Sequence, residues 1–225
     1  MSHPTILFDL DGTLVHSGPD LVGALNLVLA EEGEAPVDLD SGLRLIGHGG
    51  RIMIVNGFAA RGIDLTATPD RLDRLASRFI AVYETRIADE TRPFPNVEAT
   101  LARFVDAGWR LGVCTNKTER LARLLLDRLD LSRLFHIVTG ADTFGVGKPD
   151  PRPVLESIAA ANGDPSRAIL VGDSAADIAA ARAAGIPVIA VTFGYTDRPV
   201  AALEPDRLVD DFADIWPAAK MLIGH

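Results

Sequence analysis

Cysteine is all but missing from this sequence. Cys114 is the single one among 225 residues, so no intrachain disulfide can form. That fits a reducing compartment, and a cytoplasmic location is expected. Positive charge is scarce as well: 22 Lys and Arg face 31 Asp and Glu, for a net charge of −9, and no basic block occurs. A nucleic acid would be repelled by that average field, which argues against a DNA- or RNA-binding protein. A small phosphorylated metabolite would be repelled too, unless a metal ion, a well-placed lysine or both concentrate positive charge locally. No apolar run approaches the roughly 18 residues of a membrane span. The opening Met1-Ser2-His3-Pro4 lacks the basic-then-apolar pattern of a secretory signal. Aromatic residues make up 6%, and neither Trp109 nor Trp216 suggests a base-stacking platform. Nothing in the chain chooses between a monomer and a homodimer.

What is present is an alternation of short apolar runs with helical patterns. Thr5–Leu10 is continuously hydrophobic and then breaks at Asp9 and Asp11, as a buried parallel strand does at its carboxyl end. Further strands are expected at 110–115, 136–140, 168–172 and 187–191. Between them, Val97, Leu101 and Phe104 keep one helix face, with Asn96 as expected N-cap. Leu121, Leu125 and Leu129 keep a second, and Val154, Leu155 and Ile158 a third. Ala175–Ala184 reads as a helix ending at a Gly185 C-cap. The alternation predicts an α/β fold with a doubly wound, Rossmann-like parallel sheet. The stretch 18–92 breaks the rhythm with helical patterns alone, and Pro93-Phe94-Pro95 is a natural return hinge. The expected organisation is a catalytic core over 1–17 and 93–225, carrying an inserted all-helical cap over 18–92.

Four short segments carry the chemistry. Phe8-Asp9-Leu10-Asp11-Gly12-Thr13-Leu14 places two carboxylates at a strand end, where they are costly unless something binds. Val113-Cys114-Thr115-Asn116 puts a hydroxyl at the next strand end. Gly147-Lys148-Pro149-Asp150 offers a lysine in a proline-flanked loop. Gly172-Asp173-Ser174-Ala175-Ala176-Asp177 offers acids at a strand end and one helical turn later. Singly these have ordinary explanations: an Asp-rich turn, a Thr N-cap, a solvated lysine, acids at a helix start. In this order and together they resemble the four motifs of the haloacid dehalogenase superfamily. The opening FDLDGTLVHSGPDL and the loop Ile46-Gly47-His48-Gly49-Gly50-Arg51 resemble the phosphoglycolate phosphatases of that superfamily. His16, Thr118 and Gly50 depart from that group's pattern, where Asp, Pro and Val are usual.

The resemblance implies a Mg2+-dependent phosphatase working through an aspartyl-phosphate on Asp9. It implies Asp11 as general acid and base, and Thr115 and Lys148 as the remaining catalytic groups. It places the metal on the side chains of Asp9 and Asp173 and the backbone carbonyl of Asp11, with Asp177 holding a metal-bound water. Gly12, Thr115, Asn116 and Lys148 would hold phosphate, and His48 and Arg51 of the cap loop are the expected substrate contacts. Asp11 narrows the chemistry, because the related cation-pumping ATPases carry Thr there. Three alternatives remain open at this point: a promiscuous sugar-phosphate, nucleotide or pyrophosphate phosphatase, a β-phosphoglucomutase, and a phosphate-binding module without turnover.

Overall fold

The computed structural model describes residues 3–47, 49–196 and 199–224. Its centre is strand β1 (His3–Phe8), where Thr5, Ile6, Leu7 and Phe8 are fully buried. β1 pairs in parallel with β4 (Arg110–Cys114) on one side and β6 (Gly163–Gly172) on the other. β5 (Ile137–Thr139) extends the sheet beyond β4, and β7 (Val188–Val191) with β8 (Arg207–Val209) extends it beyond β6. The order β5-β4-β1-β6-β7-β8 is all parallel, the doubly wound topology that the sequence predicts. The chain leaves β1 toward one edge and later returns to build toward the other. The carboxyl ends of β1, β4 and β6 therefore meet at the switch point, where open α/β sheets collect ligands.

Alternation along β1 divides the core. Ile6 and Phe8 face helices α5 (Val97–Asp106), α6 (Glu119–Arg128) and α9 (Ile215–Ile223), while Leu7 faces α7 (Arg152–Ala160) and α8 (Ala175–Ala184). Cys114 is buried on the Leu7 side. Burial raises its thiol pKa, so it is core rather than a nucleophile. Gly185 closes α8 in the left-handed conformation, φ 71°, as expected. Asn96 takes the N-cap position of α5, as expected, but its side chain does not make the capping bond. Its φ is 66°, and its amide nitrogen instead donates to Asp211 at 2.8 Å.

After β1 the chain makes a two-residue strand, β2 (Val15–His16), and then four helices. These are α1 (Gly18–Glu31), α2 (Leu39–Leu43), α3 (Gly50–Ala59) and α4 (Pro69–Thr85), packed on one another. It returns through β3 (Arg92–Pro93), which pairs antiparallel with β2. The way out and the way back are tied by Asp20, a fully buried carboxylate near the start of α1. It accepts from the backbone N–H of Thr91 at 2.8 Å, the Thr91 hydroxyl at 2.7 Å and the Glu90 N–H at 3.0 Å. A buried carboxylate survives only with such partners. Among the described residues no helix is long and apolar enough to cross a membrane.

Candidate active site

Three strand ends deliver the polar groups. Asp9 follows β1, and its N–H donates to Val171 O of β6 at 2.9 Å. Thr115 follows β4 and is anchored through its N–H to Thr139 O at 3.1 Å. Asp173 follows β6. Because these residues sit where ladder hydrogen bonds end, their positions are fixed by the sheet and not by loop conformation. Gly12 completes the turn after β1. Its φ of +87° is costly for a side-chain-bearing residue, and an added Cβ would lie 2.4 Å from Asp173 Oδ2.

At the centre is the buried ammonium of Lys148. It donates to Asp9 Oδ1 at 2.9 Å, Asp177 Oδ1 at 2.6 Å and the Cys114 carbonyl at 2.6 Å, which uses all three of its N–H groups. Asp177 in turn accepts with Oδ2 from the N–H of Ser174 at 3.1 Å and its hydroxyl at 2.6 Å, closing a capping box on α8. Asp173 is held by the Thr13 hydroxyl at 2.9 Å and the Tyr195 N–H at 2.6 Å. Asp9, Asp173 and Asp177 are all buried, with one oxygen of each within 4.8 Å of the others.

Electrostatics follow from this crowding. Burial, opposed by Lys148 and assisted by Asp177, pushes the Asp9 carboxyl up to about 6. Burial, then Asp9 and Asp177, raise Asp173 well above the usual carboxylate range. Burial works against the charge of Lys148, but Asp177 and Asp9 outweigh it and keep the ammonium protonated. The cluster is short of positive charge.

A cleft of about 620 Å³ opens above the cluster, between the sheet ends and helices α3 and α4. Asp9, Asp11, Thr115 and Asn116 line it, and Lys148, Asp173 and Asp177 lie buried beside them. The Asn116 side chain donates to the Lys148 carbonyl at 3.0 Å, tying the second motif loop to the third. His48 lies outside the described residues. Arg51 is placed elsewhere: its side chain is half exposed, pairs with Asp73 and is not among the described lining residues. His16, at the unusual position, hydrogen-bonds through Nδ1 to the Tyr195 hydroxyl at 2.7 Å. The same hydroxyl accepts from the Gly18 N–H at 2.9 Å.

The sequence did not single out Lys117. Its side chain is 6% exposed, its Nζ is 2.8 Å from Asp11 Oδ2, and the ammonium lies over the ring of Tyr83, 4.6 Å from the centroid. Ser17, also missed, donates to Asp11 Oδ1 at 2.6 Å. A lysine after a strand end reads as solvated until a helix from another part of the chain covers it.

Residues 6–191 match the haloacid dehalogenase-like hydrolase family. A phosphoglycolate phosphatase of Agrobacterium fabrum is 49% identical over 215 residues, covering 96% of this chain and 91% of that protein. One from Caulobacter vibrioides is 47% identical over 97% of this chain and 92% of its own length. Among solved structures, a predicted phosphoglycolate phosphatase from Haemophilus somnus superposes with a TM-score of 0.88. It is 31% identical, covering 97% of this chain and 98% of that one.

Proposed function

The chain belongs to the haloacid dehalogenase-like hydrolases and is a phosphatase, and from that premise we propose that it hydrolyses 2-phosphoglycolate through an aspartyl-phosphate on Asp9. The observation that carries this reading is the Asp9 carboxylate itself. It ends the central strand, is held through Oδ1 by Lys148, and lines the cleft. Asp9 attacks phosphorus, the bond to the glycolate oxygen breaks, and Asp11 gives that oxygen a proton. Asp11 then takes a proton from the water that attacks the phosphoenzyme, releasing inorganic phosphate and restoring Asp9. Ser17 and Lys117 fix both oxygens of Asp11 beside the reacting group. Thr115, the amide of Asn116 and the turn at Gly12 receive phosphoryl oxygens, and Lys148 supplies a fixed positive charge. Asp177 acts through Lys148, whose ammonium it holds.

The donor set fits Mg2+. Three buried carboxylates face one ammonium, so two negative charges are uncompensated, and all the donors are hard oxygens. Asp9, Asp173 and the Asp11 carbonyl would hold the ion, which would neutralise charge on the phosphoryl oxygens as they approach Asp9. Helices α1 to α4 act as a cap over the cleft, excluding water and limiting the leaving group to a small one.

The test is phosphate release from 2-phosphoglycolate, with glucose phosphates, nucleoside monophosphates and pyrophosphate alongside, in Mg2+ and in EDTA. The expected result is that kcat/KM is highest for 2-phosphoglycolate and that EDTA abolishes turnover. Equal turnover of many esters would overturn the substrate, and undiminished turnover in EDTA would overturn the metal.

A further inference from the structure

A substrate such as 2-phosphoglycolate carries negative charge at both ends, and Lys148 answers only one of them. Its three N–H groups are spent inside the cluster at the phosphoryl end. The residue expected to meet the second charge, Arg51, is turned to Asp73 on the exposed surface. Among the described residues lining the cleft, Lys117 is the one lysine or arginine. Leu21, Ile46, Met53 and Phe79 make much of the leaving-group side apolar. Among the described lining side chains, the cation available to an anion entering there is Lys117.

Position decides what Lys117 can reach. Its ammonium is 2.8 Å from Asp11, the group that must touch the ester oxygen to protonate it. In 2-phosphoglycolate the carboxylate is separated from that oxygen by one methylene. A cation bonded to the acid therefore stands within a carboxylate's length of where the substrate's second charge must lie. A second observation points to the same place. Tyr83 also lines the cleft and is 1% exposed; its hydroxyl lies near the Lys117 ammonium but makes no well-formed hydrogen bond to any of the described residues. A buried hydroxyl without such a bond is costly, and a ligand acceptor would relieve the cost. Gly50 opens α3 on the same wall, and a Cβ there would lie 2.8 Å from Phe79 Cε1. The glycine, where Val is usual, lets α4 pack this close.

We propose that Lys117 and Tyr83 form the subsite for the leaving-group carboxylate, and that this pair, not Arg51, selects an acidic organic phosphate. The ammonium keeps its hydrogen bond to Asp11 and gives another N–H to a carboxylate oxygen when substrate enters, and the Tyr83 hydroxyl donates to the same group. Arg51 stays on the outer surface with Asp73. The proposal rests on the phosphatase reading above and names the residues that give it a substrate.

The test compares 2-phosphoglycolate with 2-hydroxyethyl phosphate, which keeps the chain length and lacks the carboxylate. The readout is the ratio of kcat/KM for the two, because any damage Lys117→Met does to Asp11 affects both and cancels. Wild type is expected to favour 2-phosphoglycolate. Lys117→Met should lower the ratio by roughly ten- to a hundredfold, mostly through KM, the size of one charge-assisted hydrogen bond. Tyr83→Phe should lower it several-fold, and Arg51→Ala should leave it unchanged. If wild type prefers 2-phosphoglycolate while Lys117→Met and Tyr83→Phe keep its ratio, the subsite is overturned and the phosphatase reading stands. If wild type shows no preference, or acts on neither ester, the substrate reading falls and the subsite with it. Should Lys117→Met fail to fold, the ratios of Lys117→Gln and Tyr83→Phe decide.

Discussion

Lys148 and Asp177 are joined at 2.6 Å inside the sheet-end cluster, and the same carboxylate caps helix α8 through its other oxygen. One aspartate thus fixes both a helix terminus and the cation that faces Asp9. Asp177→Asn keeps an oxygen for the cap and removes the charge that holds the lysine. A positioning loss of roughly 10- to 100-fold in kcat is expected, with KM much less affected. Steady-state kinetics on the variant decide it, and equal losses in binding and turnover would argue for direct substrate contact instead.

The raised carboxyls predict a pH dependence of the metal-free protein. Asp9 titrates at about 6 in the folded chain against 3.8 for the ordinary group, and Asp173 lies above that ordinary value too. The folded state therefore binds more protons than the unfolded one across this window. Stability from these groups is present below pH 4 and lost as pH rises through 6, roughly 3 kcal/mol for Asp9 alone. In EDTA the Asp9→Asn protein should gain on wild type in thermal stability between pH 4 and pH 7. Added Mg2+ should raise the wild-type Tm more at pH 7.5 than at pH 5, since the ion competes with those protons. A constant difference between the two proteins across the range would show that Asp9 does not titrate there.

Asp20 gathers three donors in a fully buried position between α1 and the returning strand. Asp20→Ala strands the Thr91 N–H and hydroxyl and the Glu90 N–H at once. A loss on the order of 3 kcal/mol in urea unfolding is expected, together with a raised KM as the helical segment loses its tether. A variant as stable as wild type would mean that water replaces the carboxylate at the hinge.

How much of this was legible in the sequence depended on where each residue sits relative to the sheet. β1, β4, β5, β6 and β7 are apolar runs in the sequence because both faces of a parallel sheet are buried, and Asp9, Thr115 and Asp173 were readable as the polar residues that end three of them. β8 was not legible. Arg207 and Leu208 are exposed and only Val209 is buried, so an edge strand of three residues leaves no pattern. Helix α2, LDSGL, is five residues with a glycine inside, below the length at which periodicity speaks. β6 begins five residues before the apolar run that announces it, because Gly163 to Arg167 (GDPSR) carries no hydrophobic pattern. Lys117 escaped for a different reason. Its burial is made by Tyr83 and Asp11, partners 34 and 106 positions away, and no local pattern encodes such a meeting. Arg51 lay beyond local pattern in another way: the α3 start that carries it was readable, but its pairing with Asp73 on α4 is set by helix packing.

The central claim is that Asp9 carries the phosphoryl group, and an acid quench tests it most directly. Enzyme mixed with 2-phosphoglycolate and Mg2+ would be stopped in acid within the first turnover, digested with a protease active in acid, and its peptides weighed. A phosphoryl adduct on the peptide that contains Asp9, absent from the Asp9→Asn protein, is the predicted result. Phosphate released in the first turnover without any adduct on that peptide, or an unimpaired Asp9→Asn enzyme, would contradict it.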